Sequence, residues 1–417
     1  MTAEVRERIE QIRRGNAPGG YKHSAMGIIP EDWEIHSVGD HLTESYILGN
    51  TGDVAKKITV KLWNKGVVEK KEVHTGSENT QYYTRKSGQF IYSKLDFLNC
   101  AFGIVPEVLD SYESTLDLPA FDINGIDPYY LLSQVTQRRF YEHWGIMAAN
   151  GGRKARRISP EDFLTFPIAF PCIQEQNKIT EVLTAQDTVI KLKANLIDEK
   201  KRQKKHLIHE ILSQNIKLTK QDGSKFPQWE TKNIGTFLTS RNEKQIPSKE
   251  APLMAFVADV GVTPKGERYD RSFLVKNDEK EYKRTELNDF IYSSNNLDVG
   301  SIGLNNYGSA VISVVYEIFT VNSNAIPIVI SEIIQMKSNI NKILRYRQGA
   351  LYGQYRIFAE DFLSVKINVP SIEEQKIISK IMLSLDKEID LLQKELNQEK
   401  QKKKALMQLL LTGIVRV

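Results

Sequence analysis

The residues whose types and spacing point most directly to chemistry are basic side chains set among aromatic ones. The first half of the chain carries Tyr82-Tyr83-Thr84-Arg85-Lys86, Arg138-Arg139-Phe140-Tyr141 and Arg153-Lys154-Ala155-Arg156-Arg157. The second half carries Arg241, Lys265, Arg268, Arg271, Lys283-Arg284, Arg345-Tyr346-Arg347 and Tyr352-Gly353-Gln354-Tyr355-Arg356. Lys and Arg supply affinity for phosphate, and Arg and Gln can also read base edges in a DNA groove. Taken singly, each of these is more often a solvated surface charge. The clusters just ahead of Ile158 and Ile357 are the stronger candidates, because they fall at matching points of the chain. Each contains a glycine, Gly152 or Gly353, that lets backbone approach a phosphate closely.

Other chemistries find less support. Asp127-Pro128-Tyr129-Tyr130 lacks the second proline of the Asp-Pro-Pro-Tyr element of adenine methyltransferases, and no glycine-rich cofactor loop accompanies it. A helix that starts with proline at its first position explains it better. No Walker A sequence occurs, so ATP-driven translocation is not expected of this chain. Glu69-Lys70-Lys71 and Asp278-Glu279-Lys280 have acid-lysine spacings seen in nucleases but lack a supporting carboxylate constellation. His206 and His209 stand three apart without acidic or thiol partners at a fitting spacing. Cys100 and Cys172, the only cysteines, cannot make a four-thiolate zinc site and read as buried thiols of a reducing compartment. Neither a bound cofactor, a metal nor a catalytic residue is expected.

The elements that must position the basic clusters come from a duplication, which is sought first in any long chain. Ile158–Ser213 aligns with Ile357–Thr412 without a gap at a shift of 199, and about a third of the positions are identical. Glu161-Asp162-Phe163-Leu164 recurs as Glu360-Asp361-Phe362-Leu363. Pro171-x-Ile173-x-Glu175-Gln176 recurs as Pro370-x-Ile372-x-Glu374-Gln375. Further back, Phe90-Ile91-Tyr92-Ser93 returns as Phe290-Ile291-Tyr292-Ser293. Trp33-Glu34 with Gly39 and Leu42 returns as Trp229-Glu230 with Gly235 and Leu238. Between these anchors the halves diverge almost completely.

Two segments, 173–213 and 372–412, are almost free of Gly and Pro and read as helices of ~60 Å each at ~1.5 Å per residue. A seam with alternating steps of four and three runs through Ile378, Met382, Leu385, Ile389, Leu392, Leu396, Glu399, Lys403, Leu406 and Leu410. The same register in the first helix gives Ile179, Leu183, Gln186, Ile190, Lys193, Ile197, Lys200, Lys204, Leu207 and Ile211. Matching seams in one chain predict an antiparallel intramolecular coiled coil and a pseudo-twofold internal repeat. The Lys-rich stretches 200–205 and 400–404 are then solvated faces, phosphate contacts or contacts with a partner subunit.

The expected fold is therefore two α/β (α+β) domains separated by two long helices. The expected parts are an N-terminal helical extension at 1–20, a first recognition domain at 21–172, a spacer helix at 173–214, a second recognition domain at 215–371, and a second spacer helix with tail at 372–417. Strands are predicted at 57–63, 88–97, 289–297 and 310–321, and helices at 128–142 and 331–346. With 57 Lys and Arg against 52 Asp and Glu, the net charge of +5 permits a nucleic-acid partner without demanding one. No apolar run approaches the ~18 residues of a membrane span, and the N-terminus lacks an apolar signal region.

Gly20-Tyr21-Lys22, Gly27-x-Ile29-Pro30-Glu31-x-Trp33-Glu34, Phe226-Pro227-x-Trp229-Glu230, the two Pro-x-Ile-x-Glu-Gln motifs and the Lys-rich helices occur in a duplicated order. From about Gly20 to Gly413 this order resembles the specificity subunits of type I restriction-modification enzymes. The resemblance implies two target-recognition domains, each reading one half of a split double-stranded DNA target. It implies helices that fix the unread spacer and dock two modification subunits, which bind S-adenosylmethionine and methylate adenine. A restriction subunit with ATP and Mg2+ would join them in phage defence in a prokaryotic cytoplasm. The specificity subunit itself would do no chemistry. Two rival readings remain: a coiled-coil adaptor that does not read DNA, and a nuclease hidden in one variable domain.

Overall fold

Helix-forming residues uninterrupted by glycine or proline extend a helix until a breaker arrives. Here the breakers stand just outside the two longest elements. The computed structural model describes residues 3–71, 76–148, 157–258, 260–264, 280–295, 297, 301–349 and 355–417. Its helices are α1 (Ala3–Arg13), α2 (Pro128–Val135), α3 (Arg138–Ala148), α4 (Pro160–Leu164), α5 (Ile173–Leu212), α6 (Pro327–Gln335), α7 (Lys337–Ile343), α8 (Ala359–Ser364) and α9 (Ile372–Leu410). The spacer helices α5 and α9 have 40 and 39 residues, follow Pro171 and Pro370 closely, and end before Gln214 and Gly413, both in the left-handed region.

The chain forms two units: Met1–Asn195 with Lys394–Val417, and Leu196–Gln393. In unit one, a four-stranded antiparallel sheet runs in the order Phe102–Ile104, Phe90–Tyr92, Ala120–Ile123, Leu42–Glu44. A three-stranded sheet follows the order Glu113–Ser114, Gln81–Thr84, Leu48–Thr51, and Ile58–Val60 pairs with Val67–Glu69 as a hairpin. Glu34–Ser37 pairs with Pro167–Phe170, which returns the chain to the start of α5.

Unit two repeats this plan strand for strand. Its four-stranded sheet is ordered Leu238–Ser240, Tyr316–Val321, Phe290–Ser293, Ile302–Leu304. The three-stranded sheet is Lys244–Gln245, Tyr282–Thr285, Ala310–Ile312; the hairpin is Met254–Val257 with Gly261–Pro264; and Glu230–Asn233 pairs with Lys366–Val369. The duplication thus extends through the segments whose sequences have diverged. Unit one is cored by rings, with Tyr92 4.9 Å from Phe163 and Phe97 4.8 Å from Phe102 between centroids. Unit two keeps Phe290, Tyr292, Phe319 and Phe362 and fills the remainder with the isoleucines of α6.

Several boundaries differ from the sequence expectation. The strand at 57–63 stops at Val60, because Trp63 and Asn64 turn the chain with φ of 60° and 51°. The strands at 88–97 and 289–297 shorten to Phe90–Tyr92 and Phe290–Ser293, and 310–321 divides around Ser313–Val315. The helix at 128–142 breaks at Thr136, whose hydroxyl donates back to the Leu132 carbonyl at 2.8 Å and competes with the helix ladder. The helix placed at 331–346 starts earlier, at Pro327, and divides at Met336.

The antiparallel course of the spacer helices is visible within each unit. In unit one, Lys193 pairs with Glu395 at 2.7 Å and Asp187 with Lys403 at 2.6 Å. Gln186 Nε2 donates to Glu399 Oε2 at 2.8 Å. In unit two, Lys200 pairs with Glu388 at 2.6 Å and Lys204 with Asp386. As one helix advances, its partner recedes. Val189, Leu192, Leu196, Leu383 and Leu391 point outward, away from the seam.

Candidate nucleic-acid interface

The repeated motifs form one set of contacts, made once in each unit. Trp33 Nε1 donates to Glu175 Oε2 at 3.3 Å, and Trp229 Nε1 to Glu374 Oε2 at 3.1 Å. Gln176 Nε2 donates to the Pro171 carbonyl at 3.0 Å, and its Oε1 accepts from the Asp127 amide at 3.0 Å. Gln375 does the same between the Pro370 carbonyl, at 3.0 Å, and the Ile326 amide, at 2.8 Å. Both glutamines are buried, so each fixes the entry of α2 or α6 to the first turn of a spacer helix. Tyr92 and Tyr292 donate to the carbonyls of Ile158 and Ile357 at 3.2 and 3.1 Å. A Cβ on Gly39 would lie 3.0 Å from the Leu164 carbonyl oxygen, and one on Gly235 3.3 Å from that of Leu363. The anchors persist because they touch one another. Sequence reading found each motif but not its partner, since the partners lie far apart in the chain.

Unit one adds a clasp. Arg416 donates to Glu175 from Nε at 2.6 Å and from Nη2 at 2.8 Å, and to Asp32 at 2.9 and 2.7 Å. The hydrogen bond from Arg416 holds the Asp32 carboxyl below its ordinary range. Among the described residues the Glu374 carboxylate accepts only from Trp229, and burial raises its carboxyl. Tyr21 Oη donates to the Gly413 carbonyl at 2.8 Å and Arg8 Nη1 to that of Ile414 at 2.9 Å, which ties α1 and the hairpin of Tyr21–Ser24 with Gly27–Pro30 to the tail.

The candidate basic residues divide by what they touch. Arg85 is a correction. It is fully buried, donating from Nε to Ser114 Oγ at 2.7 Å, and to the carbonyls of Ser45 at 2.9 Å and Leu118 at 3.2 Å. Burial pushes its pKa down to about 10. It joins strands and faces no ligand. Arg241 is a second correction, held by Asp289 at 2.8 Å, Glu243 at 3.0 Å and Thr320 at 2.9 Å, with its side chain 17% exposed.

Arg157 and Arg356 occupy corresponding positions and have corresponding acid partners, Asp117 at 3.1 Å and Glu317 at 3.2 Å. Their recurrence has a structural cause, although both remain exposed. Arg356 also lies over Phe358, 5.0 Å from its centroid, and Arg347 over Tyr355 at 5.8 Å. Backbone bonds between Gln348 and Arg356 bring Arg345, Arg347, Tyr355 and Arg356 to one edge of unit two. Lys86, Arg138 and Arg139 are exposed, and the two arginines line an open cleft of about 580 Å3 with Met26 and Trp144. Arg153, Lys154, Arg156, Lys265, Arg268, Arg271, Tyr352 and Gln354 lie outside the described residues.

Among the seam residues, Ile179, Leu183, Ile197, Ile211, Ile378, Met382, Leu396 and Leu410 are buried. Ile190, Leu207, Leu385, Ile389, Leu392 and Leu406 are half-buried. Gln186, Lys193, Lys200, Lys204, Glu399 and Lys403, polar breaks in the sequence pattern, pair across the helices. Asp127 is a helix cap, accepting from the Tyr130 amide at 2.7 Å. His206 and His209 are exposed, and no group of three or more metal-ligating side chains occurs among the described residues. Cys172 is exposed, contrary to the expectation, while Cys100 is buried and its thiol pushed up to about 12.

Two domains of one topology, each anchored by the same Trp, Glu and Gln contacts to a shared pair of antiparallel helices, define a duplicated recognition scaffold built on a helical spacer. Residues 227–401 match the model of the family described as type I restriction modification DNA specificity domain. The chain is similar to a putative type I restriction enzyme MjaX specificity subunit of Methanocaldococcus jannaschii, 23% identical over 95% of this chain and 97% of that one. Among solved structures, a chain of a type I R-M system determined for complex assembly and conformational transition matches with a TM-score of 0.58, at 14% identity over 93% of this chain and 99% of that one. The HsdS subunit of Thermoanaerobacter tengcongensis matches with a TM-score of 0.48, also at 14% identity, over 93% and 98%. The resemblance seen in the sequence holds, and specificity subunits of this kind are in general non-catalytic.

Proposed function

We propose that this chain is the DNA sequence-specificity subunit of a type I restriction-modification complex. Each recognition domain reads one half of a bipartite double-stranded target. The spacer helices set the unread interval and dock two modification subunits. The observation that carries this reading is the contrast within the duplication: the anchors recur contact for contact, while the domain interiors share topology and little sequence. Selection on two different half-sites, hung from one scaffold, produces that pattern. S-adenosylmethionine, ATP and Mg2+ belong on this reading to partner subunits, and methylation and cleavage are supplied in trans. No described helix is long and apolar enough to cross a membrane, in keeping with a cytoplasmic complex.

Of the named candidates, Lys86, Arg138, Arg139, Arg157, Arg345, Arg347, Tyr355 and Arg356 are the described ones this reading retains as DNA contacts. The test is fluorescence polarisation of the chain, in complex with its modification subunit, against randomised duplexes. Enrichment of a split sequence is expected, and exchange of residues 21–172 for another such domain should change one half only. Absence of any sequence preference would refute the assignment.

A further inference from the structure

An exposed hairpin tip lies outside the recognition clusters named above. The hairpin Ile58–Val60 with Val67–Glu69 ends in Lys61-Leu62-Trp63-Asn64-Lys65-Gly66. Trp63 is 57% exposed and Leu62 39% exposed. A large apolar side chain at a hairpin tip gains nothing from the fold. Trp63 also adopts φ of 60°, and Asn64 follows at 51°. Asn tolerates that left-handed region, but for a bulky residue such as Trp it is a true outlier. Strain of this kind persists only where the surroundings enforce it, and it concentrates at ligand contacts.

The surroundings do enforce it. The Trp63 amide donates to the Asn99 carbonyl at 2.8 Å and the Asn64 amide to that of Cys100 at 2.8 Å. Gly103 lets the hairpin base lie on the neighbouring strand; a Cβ there would fall 2.6 Å from Val67 Cγ2. The tip is therefore presented ready-formed. Its charge is one-sided: Lys61 and Lys65 are exposed, the six tip residues include no acid, and neither lysine has an acidic partner among the described residues. In the corresponding hairpin of unit two, Val257, Ala258 and Val260 carry no such charge.

We propose that the tip at residues 61–66 is a DNA-contacting finger of the first recognition domain, with the Trp63 indole stacked on a base face and Lys61 and Lys65 paired with flanking phosphates. This inference rests on the DNA-recognition reading. A protein groove would also accept an indole, but paired lysines without acids favour a polyanion. In a duplex an apolar side chain reaches a base face by wedging into a base step, and each phosphate contact contributes ~0.9 to the slope of log K against log salt.

The test uses the chain assembled with its modification subunit and a duplex carrying the target mapped from methylated adenines. Trp63→Ala is expected to weaken binding about tenfold or more, and Trp63→Phe to restore part of the loss. Lys61→Ala with Lys65→Ala should lower the salt slope by about 1.8. Trp63→Asn, which suits the left-handed turn, should hold or raise Tm while weakening binding, a combination that a merely structural tryptophan would not give. If the wild-type complex binds no duplex, the recognition reading falls and takes this inference with it. If the wild type binds and all these variants bind as well as it does, the inference alone is overturned. Loss of assembly with the modification subunit, with DNA contact otherwise intact, overturns it in favour of a protein groove.

Discussion

Substitution of one glutamate in each unit separates what the two anchors contribute. Glu175 and Glu374 occupy equivalent positions and accept from equivalent indoles, but only Glu175 also receives two hydrogen bonds from Arg416. The Glu175 side chain is 7% exposed and that of Arg416 38%. Breaking a fully buried pair typically destabilises by ~3–5 kcal/mol. Exposure of the arginine screens part of that, leaving about 2 kcal/mol for Glu175→Gln. Glu374→Gln keeps a carbonyl acceptor for Trp229 and removes a charge from a buried site. Its effect should be within ~0.5 kcal/mol of zero. Urea unfolding followed by tryptophan fluorescence measures both. Arg416→Met should reproduce most of the Glu175→Gln loss, and the double variant should fall short of the sum by ~1 kcal/mol or more. Equal losses at the two glutamates would refute the claim that the clasp, rather than the shared indole bond, makes the difference.

Further outcomes follow from the same contacts. Asp32 has a lowered folded pKa, so its contribution is present above the unfolded value of 3.8 and is lost as pH falls through the folded one. Glu374 has a raised folded pKa, so its contribution is complete below 4.5 and lost as pH rises through the folded value. A stability-pH profile of Glu374→Gln should be flatter than wild type above pH 4.5, and an unchanged slope would count against its burial. Gly39→Ala should destabilise by ~1–2 kcal/mol and Gly235→Ala by less, since the first Cβ meets carbonyl oxygen at 3.0 Å and the second at 3.3 Å; thermal melts decide it. Arg85→Ala should destabilise by about 3 kcal/mol through the buried acceptors it abandons, without changing the salt slope of DNA binding. A lowered slope in the folded fraction would return Arg85 to the interface. Seven residues inserted after Lys193, matched by seven after Glu395, keep the heptad register. They add ~10 Å, or about three base pairs at ~3.4 Å each, to the unread spacer; methylome mapping checks the interval.

The spacer helices were legible because a heptad is a local signal: each seam residue is a few positions from the next. What the period could not convey was the meaning of its polar positions. Lys193 and Lys200 break an apolar seam, but Glu395 and Glu388 across the helix pair make them part of it. Arg85 was misread for the opposite reason. Its sequence neighbours are aromatic and basic, whereas the Ser45, Ser114 and Leu118 atoms that bury it are distant in sequence. Arg241 and Asp289 form the same kind of non-local pair. The hairpin tip was hidden inside an apparent strand, although Asn64-Lys65-Gly66 is a turn signal that should have ended that strand before Trp63.

The interior of the recognition domains shows why so little of their sequence recurs. Lys57 bridges Glu113 in parallel in unit one, and Leu253 bridges Val311 in the same way in unit two. One position of the fold thus holds two buried polar side chains in the first domain and two apolar ones in the second. The strand order is unaffected, because backbone pairing and the repeated anchors set it. A scaffold that tolerates so large a chemical exchange beneath its sheets can also change the residues on its rim. Reading specificity can then diverge without disturbing the Trp, Glu and Gln contacts that hold each domain to the spacer. Substitutions that break an anchor contact should therefore impair stability for every target alike, while substitutions at the rim should redirect one half-site and leave stability nearly unchanged.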